Sequence, residues 1–237
     1  MPQSEPETTT RRRTRPGKPN LIDPPSPHYP NEAERDADRL IHVLGLGAAL
    51  AGGPILVAIA ALQGGLNRAA AVFVYVLCLL AMLAILALYN LAKDAARRQR
   101  LRRLDHAAIF LMIAGSYTPF TTQRFDGAWA IGMTAAVWAF SVLAAAGKFF
   151  LPGLSKRLWI LAYVLLGWMV VLAIEPLLAG VRPLALVLLV VGGVIYTVGA
   201  LIYASHRLSF RRAIWHAFVL AAASVHYAAI LIGVALA

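Results

Sequence analysis

The stretch RAAAVFVYVLCLLAMLAILALYNLAKDAARRQRLRR, residues 68–103, sets the architecture: over twenty apolar residues with one cation before them and six after. An apolar run of about 20 residues is the length that crosses a bilayer as a helix. The same alternation continues outward in both directions. Seven apolar segments can be read, at 40–62, 70–92, 107–122, 128–147, 158–178, 183–203 and 214–236. The gaps between them divide the 22 Lys and Arg 19 against 3, with Arg68, Arg124 and Arg182 alone on the poor side. Cytoplasmic loops retain Lys and Arg, so the reading is an all-α integral membrane protein: a seven-transmembrane helix bundle with a cytoplasmic N-terminus and an outside C-terminus, in the cell membrane.

Composition agrees. With 60% hydrophobic and 14% charged residues, the chain spends its length on lipid-facing and helix-facing surface. The net charge of +11 lies in short loops, where it sets topology and meets anionic lipids, so membrane lipids are the expected partners and nucleic acid is not. The oligomeric state is not legible. Cys78, the single cysteine, excludes an intrachain disulfide and a thiolate metal site. The basic run at 11–15 leads into Pro-rich polar sequence, so no signal peptide is expected there.

Three regions follow. Residues 1–30 are polar and Pro-rich and are expected to form a disordered cytoplasmic tail. Residues 31–39 read as a short interfacial helix capped by Asn31, its Glu, Arg and Asp making a solvated face. Residues 40–237 form the membrane domain. Within it, Gly45, Ala49 and Gly53 make a smooth stripe for close helix packing, and Gly52-Gly53-Pro54 suggests a kink.

Ionisable groups inside a bilayer mark functional positions. The candidates are His42, Asp105, His106, Glu175, His216 and His226, and the first three with His216 gather at the cytoplasmic side. Carboxylate with imidazole is the ligand chemistry of a catalytic zinc. His216 and His226 lie ten residues apart, about 15 Å along a helix, so they cannot share one ion. His226 reads as a hydrogen-bonded neutral imidazole and Glu175 as an interfacial carboxylate.

The motifs LDHAAIFLMIAGSYTPF (residues 104–120), GGVIYTVGALIYA (192–204) and AIWHAFVLAAASVHYAAI (213–230) resemble the hemolysin III family, the bacterial branch of the progestin and adipoQ receptor (PAQR) superfamily. The segment around His42 resembles that family's opening motif. The resemblance implies seven helices and a zinc site near the cytoplasmic face, built from a second-helix His, two seventh-helix His and a third-helix Asp that positions water. It assigns the Asp to Asp105 and the later seventh-helix His to His216. The other two positions hold Asn90 and Arg212. One His and one carboxylate fall short of a three-ligand platform, so the expectation is a zinc-site variant without the metal unless His106 or His42 substitutes. An ion pair between Arg212 and Asp105, flanked by Asn90 and His216, is expected in its place. The resulting reading is a membrane protein of lipid homeostasis or sensing. The alternatives are a zinc-dependent hydrolase of lipid amides, similar to ceramidases, and a pore-forming protein, and the sequence leaves open whether the chain is an enzyme.

Overall fold

The computed structural model describes Tyr29 and residues 31–92, 94–151, 153–204 and 208–237. The expected tail at 1–30 therefore falls almost wholly outside the described residues. The described elements are helical: α1 (Glu32–Leu91), α2 (Ala95–Gln123), α3 (Gly127–Phe150), α4 (Lys156–Gly167), a 3-10 helix (Met169–Ala173), α5 (Ile174–Gly180), α6 (Pro183–Ala204), α7 (Arg211–Ile230) and a closing π turn (Leu231–Ala235). Five helical segments among them are long and apolar enough to cross a membrane: Glu32–Asn90, Gly127–Phe150, Lys156–Gly180, Pro183–Ala204 and Arg211–Ala235.

Local chemistry sets the ends. Asn31 caps α1 by accepting from the Glu34 amide at 2.8 Å, and Asp94 caps α2 by accepting from that of Arg97 at 2.7 Å, each filling one of the donors a helix start leaves open. No break follows Arg39, so 31–39 is the first part of α1 and not a separate element. Gly52, Gly53 and Pro54 also stay helical. The interruption lies at Gly65, whose φ of 68° and ψ of −167° suit glycine alone. It folds α1 into two arms that run back along each other: Asn90 reaches His42, and a Cβ on Gly53 would stand 2.6 Å from Val76. The small-residue stripe thus serves packing, since Gly45 abuts Leu220 of α7 while Gly53 abuts the second arm.

The fifth apolar segment is not one helix. It breaks after Gly167 into the 3-10 helix and α5, where Pro176 offers no amide to continue a ladder. Tyr117 of α2 repairs the break: its hydroxyl donates toward the carbonyls of Leu166 (3.0 Å) and Gly167 (2.8 Å) and accepts from the Val170 amide (2.8 Å). Backbone groups freed within a bilayer need such partners.

α2 lies between α1 and α3, α6 pairs with α7, and α7 closes back on α1. On the α6–α7 seam a Cβ at Gly192 would overlap the His226 ring, and His226 Nε2 faces the Leu189 carbonyl at 3.4 Å. Glu175 is exposed. At one end of the bundle, the charges of Arg68 and Arg182 act on Arg124; burial and these neighbours hold its guanidinium below its ordinary value. Cations of the rich loops meet elsewhere, where Arg211 and Arg212 act on Lys156.

Candidate metal centre

The first turns of α1, the last turn of its second arm and the start of α7 converge on one buried carboxylate. Asp38 is fully buried, although its neighbours Asp36 and Arg39 are exposed. It precedes His42 by four residues, which stacks the two on one helix face. His42 Nε2 lies 3.2 Å from Asp38 Oδ2, and His216 Nδ1 lies 2.5 Å from Asp38 Oδ1. The two imidazoles are 4.7 Å apart between centroids, and the Asn90 amide nitrogen closes on His42 Nε2.

A shared nitrogen makes this arrangement informative. A carboxylate only accepts, so a hydrogen bond to Asp38 requires a proton on His42 Nε2, whereas an amide N–H from Asn90 requires a lone pair there. One ring nitrogen cannot do both. Turning the Asn90 amide to present its oxygen still asks that nitrogen to serve two acceptors. A cation at the lone pair, held also by the carboxylate, removes the conflict once the Asn90 amide is turned so that its oxygen faces the cation.

The donor set suits that role. Asp38, His42 and His216 each offer one ligand atom, all within 4.8 Å of one another. Two His and one carboxylate make the three-ligand platform of many catalytic zinc sites, and bonds of about 2.0–2.1 Å in a tetrahedron place ligand atoms about 3.3 Å apart. The 3.2 Å between Asp38 and His42 matches that edge.

Of the residues expected at the site, the structure brings together His42, Asn90 and His216. His42 is the substitute ligand that the sequence made a condition for zinc; His106 is outside the grouping, and its carbonyl accepts from the Tyr163 hydroxyl at 2.9 Å. Asp105 is buried, with its charge felt by Asp38 and by Lys148 of α3. Among the described residues no ion pair joins Asp105 to Arg212; the Arg212 charge acts on His216 and on Tyr89.

The residue that sequence reading missed is Asp38, assigned to a solvated face. The available signal was its four-residue spacing to His42, which puts the two on one helix face.

The family described as "Haemolysin-III related" matches residues 37–227, which contain Asp38, His42, Asn90, Asp105 and His216. Hemolysin-3 of Bacillus cereus is 34% identical over 128 residues, 54% of this chain and 58% of that protein. The Hemolysin-3 homolog of Bacillus subtilis (strain 168) is 34% identical over 131 residues, 54% and 60%. Monocyte to macrophage differentiation factor of Homo sapiens is 31% identical over 129 residues, 53% and 52%. The matched part of the chain thus spans under two thirds of the length of these relatives. No solved structure matches it significantly. That family model covers residues 37–227, most of the chain, and the described residues hold five helical segments long and apolar enough to cross a bilayer: the chain belongs to the haemolysin-III related proteins and is a multi-pass protein of the cell membrane.

Proposed function

We propose that this protein is a zinc-dependent membrane hydrolase of lipid amides, with Asp38, His42 and His216 as the ligands. The carrying observation is the buried grouping of one carboxylate and two imidazoles, the donor set of a hydrolytic zinc site. When bound, zinc supplies Lewis-acid polarisation and activation of water at neutral pH. The chain's residues do the rest. Asp38 orients both rings, and Asn90 lines the site beside His42. Asp105 accepts the proton of the attacking water and returns it to the leaving amine as the C–N bond breaks, giving a fatty acid and an amine.

The topology completes the reading. Breaking α1 at Gly65 makes two spans of it, and the apolar part of α2 supplies another, which with the remaining four segments gives seven. The convergence of Arg68 and Arg182 on Arg124 supports an outer end poor in cations, and an N-terminus inside sets the metal centre at the cytoplasmic face.

The 2.5 Å bond between Asp38 and His216 favours a second reading, a metal-free polar lock in a protein of lipid homeostasis or sensing. Elemental analysis of the purified protein separates them. About one zinc per chain, lost in His216→Ala, supports the hydrolase. No zinc in the wild type, but zinc in an Asn90→His, Arg212→His variant, overturns it in favour of the lock.

A further inference from the structure

Two charged side chains beyond the triad are buried. Lys148, near the C-terminal end of α3, and Asp105 of α2 are each only 9% exposed. Among the described residues, neither the ammonium nor the carboxylate makes a hydrogen bond or an ion pair. The Lys148 ammonium lies 3.9 Å from the centroid of the Trp159 ring and 5.1 Å from that of Tyr163. Aromatic faces attract a cation but leave its three N–H donors without an oxygen.

Position links the two groups. Tyr163, one wall around Lys148, donates its hydroxyl to the carbonyl of His106, the residue after Asp105. The charges of Lys148 and Asp105 act on each other, and that of Asp38 acts on Asp105.

Compensation of the α3 dipole does not account for an inward lysine. A cation in the last turn serves that purpose from the headgroup region, where a lysine stem reaches freely. The adjacent Phe149 and Phe150 face outward, at 39% and 81% exposure, while Lys148 turns into the bundle.

A ligand group between these side chains must offer an acceptor to Lys148 and a donor to Asp105. A secondary amide has both, a carbonyl oxygen and an adjacent N–H; an ester lacks the donor. We propose that Lys148 is a substrate-binding residue that donates to the carbonyl oxygen of an N-acyl lipid whose N–H is accepted by Asp105, and so selects amides over esters. The inference rests on the lipid-amide reading above but not on the metal.

The test is equilibrium binding to the full-length protein in detergent, using an N-oleoyl sphingoid amide with a carbon-13 carbonyl, the matched oleoyl ester, and oleic acid. Zinc content and the infrared carbonyl band are recorded in parallel. A charged hydrogen bond predicts about 10- to 100-fold weaker amide binding in Lys148→Met, with loss of the carbonyl band shift. Lys148→Arg is expected to bind the amide within a few-fold of wild type, and zinc content is expected to match in all three proteins. Unchanged amide binding in a folded Lys148→Met overturns the inference. An effect on oleic acid alone also overturns it, assigning Lys148 to a fatty-acid carboxylate. If Lys148→Met does not fold, the wild type still decides: equal affinity for amide and ester refutes the selection. Zinc-free protein with Lys148-dependent amide binding would instead sink the hydrolase reading and leave this one standing.

Discussion

Asp38→Asn changes one atom of the site and tests its design. In the wild type the carboxylate faces His216 Nδ1 at 2.5 Å and His42 Nε2 at 3.2 Å. The amide oxygen of the variant can still accept from His216, without the charge. Its NH2 then points at His42 Nε2, where the Asn90 amide nitrogen already stands, so one donor is left without an acceptor inside a fully buried position. Loss of one charge-assisted hydrogen bond costs about 1.5–3 kcal/mol. For a chain of this size that is a fall in Tm of about 3–12 °C. Metal retention is expected to drop further than the about 10- to 100-fold seen when a mere supporting partner of a ligand is lost. The assay is thermal unfolding in detergent with elemental analysis, against Asp36→Asn, an exposed neighbour expected within about 0.5 kcal/mol of wild type. If Asp38→Asn matches that control in both melting and zinc, the carboxylate does not organise the site.

Three further outcomes are expected. Tyr117→Phe removes the hydroxyl that pins the break after α4 and leaves the Val170 amide without its acceptor, a loss of about 1–3 kcal/mol; an unchanged melting curve would refute the pin. Gly65→Ala meets no neighbour within 4 Å, so its predicted cost of about 1–3 kcal/mol is backbone strain alone, whereas Gly47→Ala, equally open but helical, should be neutral or stabilising; equal stability of the two variants contradicts the glycine argument. In a Cys78→Ser background, Asn67→Cys should react with an impermeant maleimide on intact cells and Arg100→Cys only after permeabilisation, and the reverse pattern would overturn the orientation.

Helices were legible because bilayer crossing imposes length and apolarity, and because loop charge alternates; α3 and α6 follow the apolar segments closely, whereas α1 takes in two of them and the charged stretch before. Residues 158–178 gave no sign of breaking except Gly167 and Pro176, since hydropathy is blind to a carbonyl partner supplied by Tyr117 from another helix. At the site, His42, Asn90 and His216 could be named because imidazoles are scarce in the spans and the family motifs mark their places. Asp38 could not be separated from Glu34, Arg35, Asp36 and Arg39 by composition, because a charged run looks solvated until the helix face that it shares with a buried imidazole is considered. The partner expected for Asp105 was Arg212, whereas the charge that reaches it from α3 belongs to Lys148.

The contact between Asp38 and His216 spans 178 residues of chain. Polymerised at about 5–20 residues per second, that interval lasts about 10–40 s, during which the first helix has emerged and its carboxylate has no α7 to receive it. Insertion of the first arm must therefore tolerate a hydrated Asp38 at the membrane edge, and final burial is gated by arrival of the last helix. A nascent chain arrested before Arg211 would leave an unmet carboxylate at its entrance, giving quality-control proteases a local mark of incompleteness.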